Sequence, residues 1–231
     1  MADETGAGVP GPHERRDRAG AEGVPLARVV VLAGPSGCGK TYLAERSGLP
    51  GIALDDFYRD GDSPDMPVRD GRIDWEDPRS WDTDGAVDAL ARLCRTGTAE
   101  IPVYELGSDA RVGSRTVTLD GHRAVVAEGL FAAEIVDRLA GEGVLADAVT
   151  VRSRAPVTFV RRLVRDLRER RKPPGVLLRM GWEKLRSERA VVAHQVRHGC
   201  RPASKREVSA LLARSGHTGD RLRTDVDGVA A

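Results

Sequence analysis

Residues 34–41 read Gly-Pro-Ser-Gly-Cys-Gly-Lys-Thr, and they follow the continuous apolar run Arg28-Val-Val-Val-Leu-Ala33. A β-branched run of this kind predicts a strand buried on both faces, as in a parallel sheet. The spacing GxxxxGK[ST] lets successive backbone N–H groups converge on phosphate oxygens, because glycine tolerates the tight curl. Helical periodicity then runs from about Lys40 to Arg46 and stops at Gly48. The start of that helix presents partial positive charge to an anion, Lys40 supplies a point charge for β/γ phosphates, and the Thr41 hydroxyl suits Mg²⁺. A strand before and a helix after are the context the motif requires. Gly34, Pro35, Ser36, Gly37, Cys38, Gly39, Lys40 and Thr41 are therefore read as a nucleoside-triphosphate loop.

The rest of the chain alternates short apolar runs with helical stretches. Ile52-Ala-Leu54 predicts a second strand ending in Asp55-Asp56, and Phe57 to Arg79 reads as an ordered loop or partial lid. A helix is expected from about Thr83 to Cys94, with Val87, Leu90, Leu93 and Cys94 on one face and Gly97 as its stop. Glu100–Glu105 and Arg115–Leu119 read as a pair of exposed strands, and Ala124–Ala127 as a buried strand ended by Glu128-Gly129. Next come a helix from Phe131 to Leu139, a strand from Ala148 to Val151 and a long helix from Pro156 to about Arg171, broken at Pro173-Pro-Gly175. Helix resumes to about His198, no further strand is expected, and Ser204-Lys-Arg-Glu207 reads as a capping box opening a last helix to Ala213. The expected fold is α/β: a three-layer parallel sheet with helices on both faces, a small β-hairpin and a helical lid. The expected divisions are a disordered leader at 1–25, one domain at 26–214 and a flexible tail at 215–231.

Composition narrows the function classes. The 231 residues hold 36 Lys+Arg against 35 Asp+Glu, a net charge of +1, which argues against a surface built wholly for polyanions. Nine aromatic residues are too few for base-stacking platforms, so no nucleic-acid partner is expected. Three widely spaced cysteines, without a CxxC pair, fit neither a disulfide framework nor a zinc site and suit a reducing cytoplasm. No apolar run is long enough to suggest a membrane partner. The near-zero total conceals two opposed blocks: Asp55–Asp88 holds 12 acids and 4 bases, and Arg152–Lys172 holds 9 bases and 2 acids. An NKxD base-reading motif and an LSGGQ signature are absent, which leaves a kinase with a second, phosphoryl-accepting substrate.

On the acceptor side, Asp55 and Asp56 fall at the carboxyl end of a strand, the edge that faces ligands in parallel sheets. A carboxylate there can take a proton from an attacking hydroxyl, although a turn acid or helix cap accounts for the pattern equally well. Glu128 ends a buried strand, where an acid holds Mg²⁺ or its waters; a structural turn acid is the competing reading.

The loop at 34–41, Asp55-Asp-Phe-Tyr58, Trp75-Glu-Asp-Pro-Arg-Ser-Trp-Asp82, Ile101-Pro-Val-Tyr104, Glu128-Gly129 and Arg161-Arg-Leu-Val-Arg-Asp166 occur in the order found in uridine kinases. From about Val29 to Lys172 the chain resembles the uridine kinase-like branch of the P-loop kinases. The resemblance implies ATP and Mg²⁺ as cofactors and transfer of the γ-phosphoryl group to the 5′-hydroxyl of a nucleoside. It implies that Asp55 is the general base and a neighbour of the metal, that Thr41 and Glu128 serve Mg²⁺, and that Tyr58, Trp75, Glu76, Tyr104 and Arg162 meet the nucleoside. Arg165, Arg170 and Lys172 resemble the lid cations that clamp the transferring phosphates. Asp109 occupies the place of the family's base-reading histidine, and an anion offers acceptors only. Trp182 and His194 read as packing or surface residues. A same-fold kinase for a pantothenate-like or sugar-like hydroxyl, and a nucleotide-binding regulator without transferase activity, are the other readings.

Overall fold

The computed structural model describes residues 23–152 and 190–217. Its first half comprises β1 (Arg28–Ala33), α1 (Lys40–Arg46), β2 (Gly51–Ala53), the short strands β3 (Val68–Arg69) and β4 (Arg72–Ile73), and α2 (Thr83–Thr96). Then follow β5 (Thr98–Glu105), β6 (Ala110–Thr118), β7 (Ala124–Glu128), α3 (Val136–Gly141) and β8 (Leu145–Arg152). A helical stretch at 190–197 (α4), β9 (Arg201–Ser204) and α5 (Lys205–His217) complete the described elements. Five strands form one sheet in the order β2–β7–β1–β8–β9, and every pairing in it is parallel.

The apolar run that opens the chain's logic sits at the centre of that sheet. Val29 to Ala33 are all 0% exposed, and the two-residue period of a strand divides them between two cores. Val29, Val31 and Ala33 pack with Val87, Leu90 and Leu93 of α2 and with Leu139 of α3. Val30 and Leu32 pack with Leu43 of α1 and with Val208 and Leu212 of α5. Each such fully buried aliphatic side chain contributes about 1.5–3 kcal/mol. The three-layer α/β architecture expected from the alternating pattern is the one observed.

Local chemistry sets the helix ends. The Asp82 carboxylate accepts from the Gly85 N–H to cap α2, which ends where Gly97 turns left-handed at φ 85°. At α5 the Ser204 N–H donates to Glu207 Oε2 at 2.6 Å and the Glu207 N–H donates to Ser204 Oγ at 3.3 Å, a reciprocal capping box.

Several expectations need correction. A further strand does exist: β9 pairs with β8 from Val149↔Arg201 to Arg152↔Ser204. It escapes a pattern reading because it is four residues long, contains Pro202 and buries only Ala203. The helix expected over Phe131–Leu139 is split into a 3₁₀ turn, Ala132–Ile135, and α3. The loop from Phe57 to Arg79 carries the small β3–β4 hairpin. The strands β5, β6 and β8 are longer than expected, and the last helix runs to His217 rather than Ala213. The helix expected at Pro156–Arg171, Arg162, Arg165, Arg170, Lys172, the Pro173–Gly175 break, Trp182, the leader through residue 22 and the tail from residue 218 lie outside the described residues.

Candidate active site

The loop between β1 and α1 depends on three positive-φ glycines, Gly34 at 144°, Gly37 at 80° and Gly39 at 99°. Space is as restrictive as the dihedral at Gly34. A Cβ there would meet Cys38 Sγ at 2.9 Å and the backbone N and O of Val151 at 3.3 Å. The Lys40 side chain folds back into the loop, 8% exposed, and its ammonium donates to the carbonyls of Gly34 at 2.9 Å and Pro35 at 3.4 Å. The Cys38 side chain turns away into the core beneath, where burial pushes its thiol pKa up against the opposing pull of Lys40. It is therefore a packing group, not a nucleophile.

β7 runs beside β1 and delivers Glu128 to the same edge, where the Thr41 hydroxyl donates to Glu128 Oε1 at 2.8 Å. Burial raises the Glu128 pKa; Lys40 and the Thr41 hydroxyl lower it, and the anions of Asp55 and Glu45 raise it again. The next residue must be small. A Cβ on Gly129 would meet Leu54 Cβ at 2.8 Å and Asp55 Oδ1 at 3.1 Å. Gly129 thus allows the end of β7 to approach the 3₁₀ turn Leu54–Phe57 that follows β2. The Leu130 N–H donates to Asp55 Oδ1 at 3.3 Å and orients that carboxylate.

These groups line one open cavity of about 500 Å³. Ser36, Gly37, Gly39, Lys40, Thr41 and Glu128 line it on the side of the glycine loop; Asp55, Tyr58, Trp75 and Glu76 line the other. Tyr58, Trp75 and Tyr104 make a compact aromatic group, with ring centroids 5.5 to 6.2 Å apart, and Phe131 closes it beneath Tyr58 at 6.0 Å. The Tyr58 hydroxyl donates to the Trp75 carbonyl at 3.1 Å; burial first, then Asp55 and Glu76, push its pKa far up, so it remains protonated. Among the described residues, the Tyr104 hydroxyl is a buried polar atom with no partner. Burial, with Asp109 and Asp60 nearby, pushes the Tyr104 pKa up to about 12.

Of the expected site residues, Gly34, Pro35 and Cys38 shape the phosphate loop without lining the cavity, and Tyr104 backs its aromatic wall. Asp109 is not drawn in. It occupies the β5–β6 turn at φ 50°, with its carbonyl accepting from the Gly61 N–H at 2.7 Å. Three contributors were missing from the sequence reading: Tyr42, which lines the cavity 59% exposed, the Leu130 N–H and Gly129 as a close-approach residue. Tyr42 follows the motif on α1 and was legible as a neighbour. The Leu130 amide is a backbone group, so no side-chain pattern could reveal it.

The donor set fits a hard divalent cation. The Thr41 hydroxyl and the Glu128 carboxylate offer oxygen ligands beside Lys40 and the convergent loop amides, which is the chemistry Mg²⁺ and polyphosphate share.

Comparisons with known proteins agree with this geometry. The profile of the Phosphoribulokinase / Uridine kinase family matches residues 29–176. A protein named inorganic pyrophosphatase TTM1 of Arabidopsis thaliana is 33% identical over 150 residues, covering 63% of this chain and 22% of that protein. The chain spans only about a fifth of the length of the first such relatives. A uridine kinase of Deinococcus deserti is 29% identical over 170 residues, covering 68% of this chain and 77% of that enzyme. Among solved structures, YFH7 of Saccharomyces cerevisiae superposes with a TM-score of 0.55 at 12% identity, covering 78% of this chain and 93% of that one. A Silicibacter protein described as a candidate fructose transport system kinase gives 0.51 at 16% identity, covering 77% and 87%. Both share the fold.

Proposed function

The chain belongs to the phosphoribulokinase and uridine kinase family, and from that premise we propose that it is an ATP-dependent kinase whose acceptor is the 5′-hydroxyl of a nucleoside. The observation that carries the reading is the position of Asp55. Its carboxylate is held by the Leu130 N–H and opens onto the same cavity as Lys40, Thr41 and Glu128.

In this reading the loop amides and Lys40 hold the triphosphate, and Thr41 and Glu128 hold Mg²⁺ or its waters. The metal supplies charge neutralisation on the phosphate oxygens. Asp55 accepts the proton of the acceptor hydroxyl as that oxygen bonds to the γ-phosphorus. The bond from the γ-phosphorus to the bridging β–γ oxygen breaks, and its electron pair leaves with ADP. Lys40 offsets the charge that develops on the phosphates. Glu76 is suited to ribose hydroxyls as an acceptor pair, and the Tyr58–Trp75–Tyr104 group to one face of a planar base.

A panel of nucleosides, pantothenate and sugars offered with ATP and Mg²⁺, with products identified by mass spectrometry, tests the proposal. A nucleoside 5′-monophosphate is the expected product. A phosphorylated sugar or pantothenate with every nucleoside untouched would keep the kinase and overturn the acceptor.

A further inference from the structure

Away from that cavity, three metal-competent side chains converge from two elements. Glu134 lies in the 3₁₀ turn after β7, and His194 and His198 lie one helical turn apart on α4 and its end. Residues four apart share a helix face, and the two imidazole rings stand with centroids 4.4 Å apart. His194 Nε2 is 2.6 Å from Glu134 Oε1, and His198 Nε2 is 4.0 Å from Glu134 Oε2. One ligand atom from each of the three lies within 4.8 Å of the others. All three are partly buried, and α4 is fixed behind them by a buried bond of 2.6 Å from Thr150 Oγ1 to Gln195 Oε1.

We propose that Glu134, His194 and His198 form a binding site for a divalent transition-metal ion of the zinc class, separate from the Mg²⁺ donors of the catalytic cavity. Around a tetrahedral Zn²⁺, ligand atoms about 2.0–2.1 Å from the ion stand about 3.3 Å apart. The contacts of 2.6 and 4.0 Å run to the two oxygens of the one carboxylate, and one ligand atom from each residue lies within 4.8 Å of the others, so side-chain adjustment without backbone rearrangement brings the set to that spacing. Two imidazoles and one carboxylate select Zn²⁺, Co²⁺ or Ni²⁺ over Mg²⁺, which prefers oxygen alone. The partial exposure of both histidines leaves room for water as a fourth ligand. The bound ion cross-links the turn after β7 to α4 and stabilises their packing, since binding to the native state alone adds to stability.

The test uses the full chain in excess Mg²⁺, with ZnCl₂ titrated by calorimetry. One equivalent is expected to bind and to raise the melting temperature. Loss of a mere outer-shell partner costs a metal site 10–100-fold, so His194→Ala/His198→Ala is expected to weaken binding by at least about 100-fold. Glu134→Gln weakens it as well. Co²⁺ in place of Zn²⁺ is expected to give tetrahedral d–d absorption without a thiolate charge-transfer band. No Zn²⁺ binding by the parent chain, full affinity in the double variant, or a thiolate band pointing to the cysteines would each overturn the site. Should the alanine pair fail to fold by circular dichroism, His194→Gln/His198→Gln keeps polarity at both positions and carries the same expectation.

Discussion

At Glu128, burial lifts the carboxyl pKa above its ordinary value while Lys40 and the Thr41 hydroxyl oppose the shift. A carboxyl raised on folding leaves the native state with more bound protons than the unfolded state just above pH 4.5, so its contribution to stability falls as pH rises through that window. The ionised carboxylate is thus the costlier form within the fold, and a cation beside it would offset that cost. Glu128→Gln keeps the volume and an oxygen for the Thr41 hydroxyl. It should melt higher than the parent without Mg²⁺ in scanning calorimetry, while Mg²⁺-dependent turnover falls about 10–100-fold. A variant that melts lower, or turns over at the parent rate, would contradict this. At the same scale the strand-end acids Asp55 and Glu128 were legible, because a parallel sheet presents its carboxyl edge to ligands. Asp109 holds the left-handed position of the β5–β6 turn at φ 50°, off the cavity lining but close enough for its charge to act on Tyr104.

Among the elements, the β5–β6 hairpin supports the aromatic end of the cavity, through Tyr104 packed against Tyr58 and Trp75. Its pairing passes from Val103↔Gly113 to Tyr104↔Arg111, which leaves Val112 as a bulge. A bulge re-aims the residues beside it. Just before it lies Arg111, whose side chain donates to the carbonyls of Tyr58 at 2.9 Å and Phe57 at 3.1 Å and to Asp82 Oδ2 at 3.1 Å. One guanidinium thereby ties the hairpin to the segment carrying Tyr58 and to the cap of α2. Burial pulls the Asp82 pKa up, but the Gly85 N–H and Arg111 outweigh it and hold the carboxyl below its usual range. A carboxyl lowered on folding stabilises the native state above its unfolded value near 3.8, and that contribution is lost as pH falls through the folded value. Arg111→Ala should cost about 2 kcal/mol in urea unfolding at neutral pH, toward the low end for bonds to charged groups because the pair is partly exposed. The difference from the parent should shrink below pH 4. An unchanged unfolding midpoint would contradict the bracing role. None of this network was legible in sequence, since a one-residue bulge in an exposed strand leaves no periodic trace. The strand β9 was hidden likewise by its brevity and by Pro202, whereas the capping box that follows it was readable because its chemistry is local.

Across the whole molecule, the acidic block from Asp55 to Asp88 has two roles that composition alone merges. Asp55 and Glu76 line the cavity. Asp56, Asp74, Asp77 and Asp82 instead meet Arg115, Arg69, Arg79 and Arg111 and hold the surrounding segments. The opposed basic block, with Arg165, Arg170 and Lys172, lies almost wholly outside the described residues. The sheet and its layers were readable because a β-branched run and a glycine loop leave few alternatives. The aromatic wall was readable only from the ordered motifs, since Tyr58, Trp75 and Tyr104 are far apart in the chain. The central claim, that Asp55 takes the acceptor proton in a cavity shared with the triphosphate loop, is tested most directly by single-turnover phosphoryl transfer in Asp55→Asn. ATP affinity is measured in parallel, with the acceptor identified in the panel. General-base loss should slow transfer by at least about 100-fold with ATP affinity unchanged. Transfer at the parent rate by an Asp55→Asn variant that binds ATP normally would contradict it.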